Sequence, residues 1–264
     1  MDHRLHFEIL PQPSNTTCGP TCLHAVYRYL GEEMPLSQVI AETQALQEGG
    51  TLAVMLGCHA LRRGYDVSID TFNLQVFDPT WFKAGGDMID RDKMIAKLEE
   101  QAESKIRSKL VMACKAYVEF LKLGGKLRME DLTSALLRRY LKQDIPLLTG
   151  LSATYLYREA REISSLGTPD DVNGEPSGHF VVLCGYDKEK RSVLVADPWE
   201  LNPISSDHTY VVDLDRVICS ILLGILTYDA NLLIVRRKSG SKPQDLLRES
   251  IPEEINRIRM SAFG

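Results

Sequence analysis

Apolar side chains recur at helical spacing through the first quarter of the chain. One series predicts a helix that starts at Cys18 and ends before Gly31. Its apolar positions are Leu23, Val26, Tyr27 and Leu30. The same periodicity predicts helices over residues 36–46 and 52–63, whereas residues 65–69 alternate apolar and polar side chains as a strand does. We therefore expect a mainly helical first quarter.

A second helical region occupies the middle of the chain. Apolar positions over residues 91–124 fit one long helix or two helices in line, and a further helix is predicted over residues 130–142. These segments lie inside a predicted helical insertion that spans about residues 82–144. The insertion interrupts a domain that we expect to cover residues 1–237.

Strand patterns dominate the second half of the chain. Residues 145–157 read as a buried strand that leads into a loop, and a hairpin follows over residues 178–199. The remaining predicted elements are a strand at 209–212, a short helix at 214–220 and a hairpin of strands at 221–228 and 231–236. The chain therefore predicts an α+β fold with a helical half, an antiparallel β-sheet and a helical insertion. Residues 238–264 are charged and are expected to form a tail.

Composition narrows the class of protein. The 264 residues are 44% hydrophobic and 25% charged, as in ordinary globular chains, and no apolar run approaches the roughly 20 residues of a membrane span. A net charge of −5 gives no reason to expect nucleic-acid binding. The N-terminus lacks the apolar stretch of a secretory signal, and six scattered cysteines without paired spacing favour reduced thiols, a cytoplasmic location and no metal site.

The insertion differs in charge from the rest of the chain. Residues 91–142 carry 13 Lys and Arg against 7 Asp and Glu, a local charge of +6, so the remaining residues hold −11. One interpretation is a solvated helical face. The other is that this basic insertion receives an acidic substrate or partner.

Cys18 is the candidate nucleophile because it lies where a loop becomes a helix. The N–H groups at a helix N-terminus, together with a nearby imidazolium, favour the thiolate that is needed for attack. Gln12, six residues upstream, carries a side-chain N–H that can stabilise a developing oxyanion together with the Cys18 N–H. The base must come from a distant histidine, since cysteine and base need only be adjacent in the fold.

His179 and Asp197 are the candidate base and orienting acid. If the hairpin is centred near Lys188, positions 179 and 197 are directly opposed, with α-carbons about 4.5–5.5 Å apart and both side chains on one face. Cys18 would then attack a carbonyl, His179 would take up and return the proton, and Asp197 would orient the imidazole.

Three blocks around these residues resemble a known family. They are Gln-x5-Cys-Gly-Pro-x-Cys-Leu from Gln12, Gly-His-Phe-Val-Val-Leu-x-Gly-Tyr-Asp from Gly178, and Val-x-Asp-Pro-Trp around Asp197. The blocks look like those of the papain-like cysteine peptidases typified by the peptidase domains of bacteriocin exporters, which cut leader peptides after a double glycine. The resemblance covers roughly residues 5–65 and 145–235 and implies a stand-alone papain-like peptidase.

The resemblance implies roles for six residues. Cys18 becomes the nucleophile, His179 the base, Asp197 the orienting acid and Gln12 the oxyanion donor, while Gly19 and Gly178 are the expected substrate-binding positions. This chain departs from the exporter pattern at Thr17, which replaces the acidic residue often found there, and in its large insertion and lack of a following transporter domain. A double-glycine leader is therefore not implied as the substrate.

The predicted function is cleavage of a peptide or isopeptide-type amide through a thioester on Cys18, with no cofactor and no metal. Two alternatives stay open. An acyltransferase or peptide ligase would pass the same thioester to an amine, and a peptide-binding pseudoenzyme would keep the cleft without turnover. The expected partner is a peptide or protein substrate, possibly acidic.

Overall fold

The first quarter of the chain folds into three helices and two short strands, so it is mainly helical as its apolar periodicity predicts. The computed structural model describes residues 1–46, 49–163 and 168–238. Within them the first elements are β1 (His3–Arg4), α1 (Cys18–Tyr29), α2 (Leu36–Glu42), α3 (Ala53–Arg62) and β2 (Asp66–Thr71). The predicted tail, apart from residue 238, lies outside the described residues.

The insertion contributes four further elements. They are α4 (Arg91–Ser104), α5 (Ser108–Lys122), β3 (Lys126–Arg128) and α6 (Ser134–Leu141). The expectation of one helix, or of two in line, is wrong because α4 and α5 pack side by side. Glu99 pairs with Lys122 at 3.1 Å across them, and the chain reverses around Ile106, which is fully exposed. The apolar periodicity was compatible with both arrangements, since it reports a buried face and not its partner.

The second half supplies most of the sheet. Its elements are β4 (Leu147–Ser152), α7 (Ala153–Tyr157), β5 (Glu162–Ile163), β6 (Thr168–Pro169), β7 (Gly178–Asp187), β8 (Ser192–Ala196), β9 (Thr209–Asp213), α8 (Leu214–Leu223) and β10 (Asn231–Arg236). The strand expected at residues 221–228 is wrong, because α8 continues to Leu223 and a short 3₁₀ turn follows. An apolar run of this length does not distinguish strand from helix.

Eight of the described strands assemble into one mixed sheet that carries the helices, and β5 and β6 form a separate two-stranded sheet. Over the described residues the order of the mixed sheet is β3-β2-β10-β4-β7-β8-β9, with β1 paired to β7. Neighbouring strands are antiparallel except β2 and β3, which are parallel. Helices α1 and α3 pack on this sheet, and α5 packs on α3. The predicted α+β class, with a helical half, a sheet and a helical insertion, is confirmed, and the sheet is antiparallel except at the β2–β3 pair.

The β7–β8 hairpin does not have the predicted register. Asp187 pairs with Ser192 beside the turn, whereas Val182 pairs with Ala196 farther along. The expected direct opposition of residues 179 and 197 is therefore wrong, because the turn is centred closer to residue 190 and β8 ends at Ala196.

A β-bulge nevertheless keeps these two positions on one face. The register shifts by one residue between Leu183 and Gly185. Continued from the turn without that shift, the pairing would place residues 179 and 197 on opposite faces of the hairpin. The extra residue restores an even offset, so both side chains share a face as diagonal neighbours.

The insertion and the rest of the chain share one hydrophobic core. Phe120 of α5 is fully buried, and its ring lies so close to α3 that a methyl group at Gly57 would be 2.8 Å from its Cε2 atom. Leu233 of β10 lies at the same position, 3.3 Å from that methyl group. Packing therefore couples the insertion directly to the central sheet.

We expect Phe120→Ala to destabilise the whole chain in a single unfolding transition, by about 3–5 kcal/mol, because it opens a cavity between α5 and α3. Urea denaturation followed by circular dichroism and by tryptophan fluorescence measures this. Two separate transitions, with only one of them shifted, would show that the insertion is an independent unit.

Candidate active site

Cys18 is the first residue of α1 and is mostly buried. The loop before it is held by Thr17, whose hydroxyl donates to the Ser14 carbonyl at 2.9 Å and accepts from the Ser14 N–H at 3.1 Å. Thr17 is the N-cap residue, but its side chain makes no hydrogen bond to α1. The Cys18 N–H has no intrahelical acceptor because it belongs to the first turn. The sulfur is thus at the positive end of a helix.

His179 lies at the start of β7 and contacts both other members of the predicted triad. Its Nε2 is 2.8 Å from Oδ1 of Asp197, and its ring lies beside Cys18 at the same cavity, close enough for Cys18 to raise the pKa of the imidazole. Since Nε2 faces Asp197, the other ring nitrogen is left for Cys18. The structure therefore brings together Cys18, His179 and Asp197, although Cys18 is far from the other two in the sequence.

Asp197 is fully buried and accepts several hydrogen bonds. Oδ1 accepts from His179 and from the Trp199 N–H at 2.9 Å, while Oδ2 accepts from the hydroxyls of Tyr157 at 2.6 Å and Tyr210 at 2.5 Å. Burial raises the pKa of this carboxyl, but the hydrogen bonds from His179 and the two tyrosines outweigh it and hold the pKa below its ordinary value. Asp197 is therefore a carboxylate at neutral pH.

The neighbouring charges favour a protonated His179. Burial alone lowers the pKa of its imidazole, yet the negative charge of Cys18 and the hydrogen bonds to Asp197 and Cys18 raise that pKa to about 10. This arrangement fits an imidazolium that lies between Cys18 and the Asp197 carboxylate.

Cys22, one turn along α1, has a different environment. It is completely buried, and its thiol donates to the Phe180 carbonyl at 3.3 Å. Burial and the nearby charges of Cys18 and Asp197 raise the pKa of Cys22 well above its ordinary value. Cys22 is therefore a neutral core thiol.

Cys18 and His179 open onto a cavity of about 290 Å³. Gly178 lines it, and a methyl group at this position would be 2.7 Å from the Thr227 hydroxyl oxygen. Gly19 is buried beside the cavity, where a methyl group would be 2.7 Å from the Thr51 methyl and 3.2 Å from the Phe180 ring. Of the two glycines expected to bind substrate, Gly178 is the one that faces the cavity.

Gln12 is held close to the hairpin but outside the lining of this cavity. Its backbone N–H donates to the Pro198 carbonyl at 2.8 Å, which ties the nucleophile loop to the segment after Asp197. Its side-chain nitrogen donates to the Ser14 carbonyl at 3.0 Å, and its Oε1 is buried without a partner among the described residues. The structure therefore does not place the Gln12 side chain in the cavity that Cys18 and His179 line.

Sequence reasoning missed the tyrosine pair that surrounds Asp197. Tyr210 is on β9 opposite Val195, so it becomes a diagonal neighbour of Asp197 only when the sheet register is known. Tyr157 ends α7, a short helix where the sequence indicated a strand that runs into a loop. Neither tyrosine belongs to a motif that singles it out.

We expect Cys18→Ala to lower the pKa of His179 from about 10 toward its ordinary 6.5, because Cys18 is the strongest influence that raises it. Titration of the imidazole signals by NMR measures the change, with Cys22→Ala as the control that keeps Cys18. In the wild type, the stability due to His179 protonation is complete below about pH 6.5 and is lost as pH rises toward 10. An unaltered His179 titration in Cys18→Ala would contradict the electrostatic interaction between Cys18 and His179.

Neither a membrane-spanning helix nor a cluster of metal-ligating side chains occurs in the part of the chain that the structure describes. No helix in residues 1–46, 49–163 and 168–238 combines the length and apolar character required to cross a membrane. Across the same ranges, no group of three or more His, Cys, Asp or Glu side chains is placed to bind a metal ion.

Comparisons with solved structures find peptidase domains of similar arrangement. A putative C39-like peptidase from Bacillus anthracis shares 13% identity at a TM-score of 0.49, covering 90% of this chain and 100% of that one. The peptidase domain of Streptococcus ComA, a bifunctional ABC transporter, shares 12% at a TM-score of 0.42, covering 88% and 100%. A double-glycine-motif protease from an AMS/PCAT transporter, solved with its leader peptide, shares 12% at 0.41, covering 90% and 96%.

A search of the curated proteins finds no match. The model of the Peptidase_C39 like family, in contrast, matches residues 4–213. The match includes Gln12, Cys18, His179 and Asp197 and extends across the insertion. This chain therefore belongs to the Peptidase_C39 like family.

Proposed function

We propose that this protein is a cysteine peptidase that cleaves an amide bond through a thioester on Cys18. Family membership supports a cysteine peptidase. The single observation that carries the individual roles is the position of buried His179, whose Nε2 is 2.8 Å from Asp197 and whose ring lines the same cavity as Cys18. A thiol, a base and an orienting acid in this order are the groups that acyl transfer to cysteine requires.

Each step of the reaction has a residue in position. The Cys18 thiolate adds to the scissile carbonyl carbon, and the imidazolium of His179 gives its proton to the departing amine as the C–N bond breaks. Neutral His179 then takes a proton from water, whose oxygen attacks the thioester and releases the acid. Asp197 keeps the imidazole oriented throughout, because its carboxylate is itself fixed by Tyr157 and Tyr210.

Oxyanion stabilisation comes from the Cys18 N–H and from the free N–H of the Gln12 amide. The first is an unpaired donor of the helix N-terminus. The second lies in a loop that the Gln12–Pro198 backbone hydrogen bond ties to the Asp197 segment. Gly178 lines the cavity and leaves room for the substrate backbone to approach.

The substrate is a peptide or protein, and the excess positive charge of residues 91–142 favours an acidic one. All six cysteines are unpaired, as expected in the reducing cytoplasm. Transfer of the acyl group to an amine, or peptide binding without turnover, would use the same cleft. The tests below separate these outcomes from hydrolysis.

Dilute iodoacetamide near neutral pH should alkylate Cys18 before any other thiol, because only Cys18 contacts an imidazolium and a helix N-terminus. Cys219 is an informative internal comparison, since it is exposed on α8 whereas Cys18 is mostly buried. Peptide mass mapping after partial labelling identifies the site. Preferential labelling of Cys219 would mean that exposure, and not activation, governs reactivity, which argues for a pseudoenzyme.

Gln12→Ala should lower kcat by about 10²–10³ with little effect on KM, because an oxyanion donor acts in the transition state. Gln12→Glu, which keeps the size but removes the donor, should lose as much. The measurement uses a peptide that the wild type cleaves, with Gln38→Ala on α2 as the control, since Gln38 is an exposed glutamine that bonds Glu42. Full activity in both Gln12 variants would exclude this role.

A further inference from the structure

The insertion places one cation in the candidate catalytic cavity. Lys109, on the first turn of α5, lines the same cavity as Cys18 and His179. Its ammonium nitrogen is 5.6 Å from the centroid of the Tyr228 ring, close enough for a cation–π contact. Tyr228 has a left-handed backbone conformation with φ of +69°, which is rare for an aromatic residue.

Lys109 forms no salt bridge with the residues that the structure describes. It is half-buried, and no carboxylate of the described residues lies within 4.0 Å of its nitrogen. A cation in the first turn of a helix also opposes the helix dipole, and the first turn of α5 has no acidic residue to offset it. The positive charge of Lys109 does act on the buried Asp229 of the same cavity, where it lowers the pKa of the carboxyl.

Asp229, the carboxylic acid that lines the cavity, already accepts hydrogen bonds from the protein. Asp229 is buried, and both of its carboxylate oxygens are 3.1 Å from the Ala53 N–H at the start of α3. The Asn231 amide also donates to it at 2.9 Å. Burial raises the pKa of Asp229 to about 7, so its negative charge is only partial at neutral pH. The titratable groups that line the cavity are Cys18, Lys109, His179 and Asp229.

We propose that Lys109 is a specificity-determining residue that binds an acidic side chain, glutamate or aspartate, of the substrate next to the scissile bond. This inference rests on the proposed peptidase function and locates the acidic preference at one residue of the insertion. A cavity of about 290 Å³ admits only a few side chains, so the ammonium lies within reach of substrate residues near the cleaved bond. The Tyr228 ring holds the ammonium in place and leaves its N–H donors for the carboxylate.

Alkylation of Cys18 by two reagents of different charge tests the electrostatic effect of Lys109 in the cavity and needs no peptide substrate. Anionic iodoacetate and neutral iodoacetamide react with the same sulfur, so the ratio of their rates reports the local potential. We expect Lys109→Gln to lower the iodoacetate-to-iodoacetamide ratio by about three- to tenfold. Lys115→Gln, an exposed lysine of the same helix that does not line the cavity, removes the same charge and should leave the ratio unchanged.

The sequences of the cleavage sites provide a second test of the proposed role of Lys109. Peptides cut by the wild type in a cell extract should be enriched in Asp or Glu beside the new termini. Lys109→Gln should lose this enrichment, and Lys109→Glu should favour Lys or Arg instead. Lys115→Gln should cleave as the wild type does.

The outcomes separate this inference from the proposed function. If Cys18 is activated and cleaves peptides, but neither the alkylation ratio nor the enrichment responds to Lys109, the acidic subsite is wrong and the peptidase stands. If Cys18 reacts with neither reagent and no peptide is cut, the proposed peptidase function is wrong, and the acidic subsite that rests on it is wrong as well.

Discussion

The site depends on one buried carboxylate. Asp197 is excluded from water, so its charge is stable only because protein donors replace the lost solvation. Two tyrosine hydroxyls, the Trp199 N–H and His179 supply them. A carboxylate fixed in this way holds the imidazole in one orientation, and the imidazole in turn contacts Cys18. Loss of the Asp197 charge would leave both the ring orientation and the charge on His179 without support.

Backbone geometry determines whether this carboxylate can reach the ring. The bulge between Leu183 and Gly185 returns His179 and Asp197 to one face of the hairpin, and the end of β8 at Ala196 frees Asp197 from the ladder. The hydrogen bond from Gln12 to Pro198 then ties the loop before Cys18 to the same segment. A small local irregularity thus aligns two chain-distant halves of the site.

The helical insertion is part of the core and also reaches the cavity. Phe120 packs against Gly57 on one part of α5, while Lys109 at the start of the same helix lines the cavity. Because α5 is anchored at α3, the lysine is positioned by a rigid element and not by a loop. Stability and the proposed substrate preference therefore depend on the same helix.

The sequence was informative about elements and motifs and much less so about their relative placement. It predicted the start of α1 at Cys18 and a contact of His179 with Asp197, but through a register that is wrong because the turn is centred near residue 190. Periodicity did not reveal that α4 and α5 pack side by side, since an apolar stripe shows which face of a helix is buried and not which element covers it. The Asp197 tyrosines depend on a strand pairing that no local pattern specifies.

The central claim is that Cys18 and His179 act together to break peptide bonds. The most direct measurement compares the peptides of a cell extract after incubation with the wild type, with Cys18→Ala and with His179→Gln. The account predicts new peptide termini that only the wild type produces, with water and not an added amine at the released acyl group. Identical peptide sets from all three proteins would contradict it.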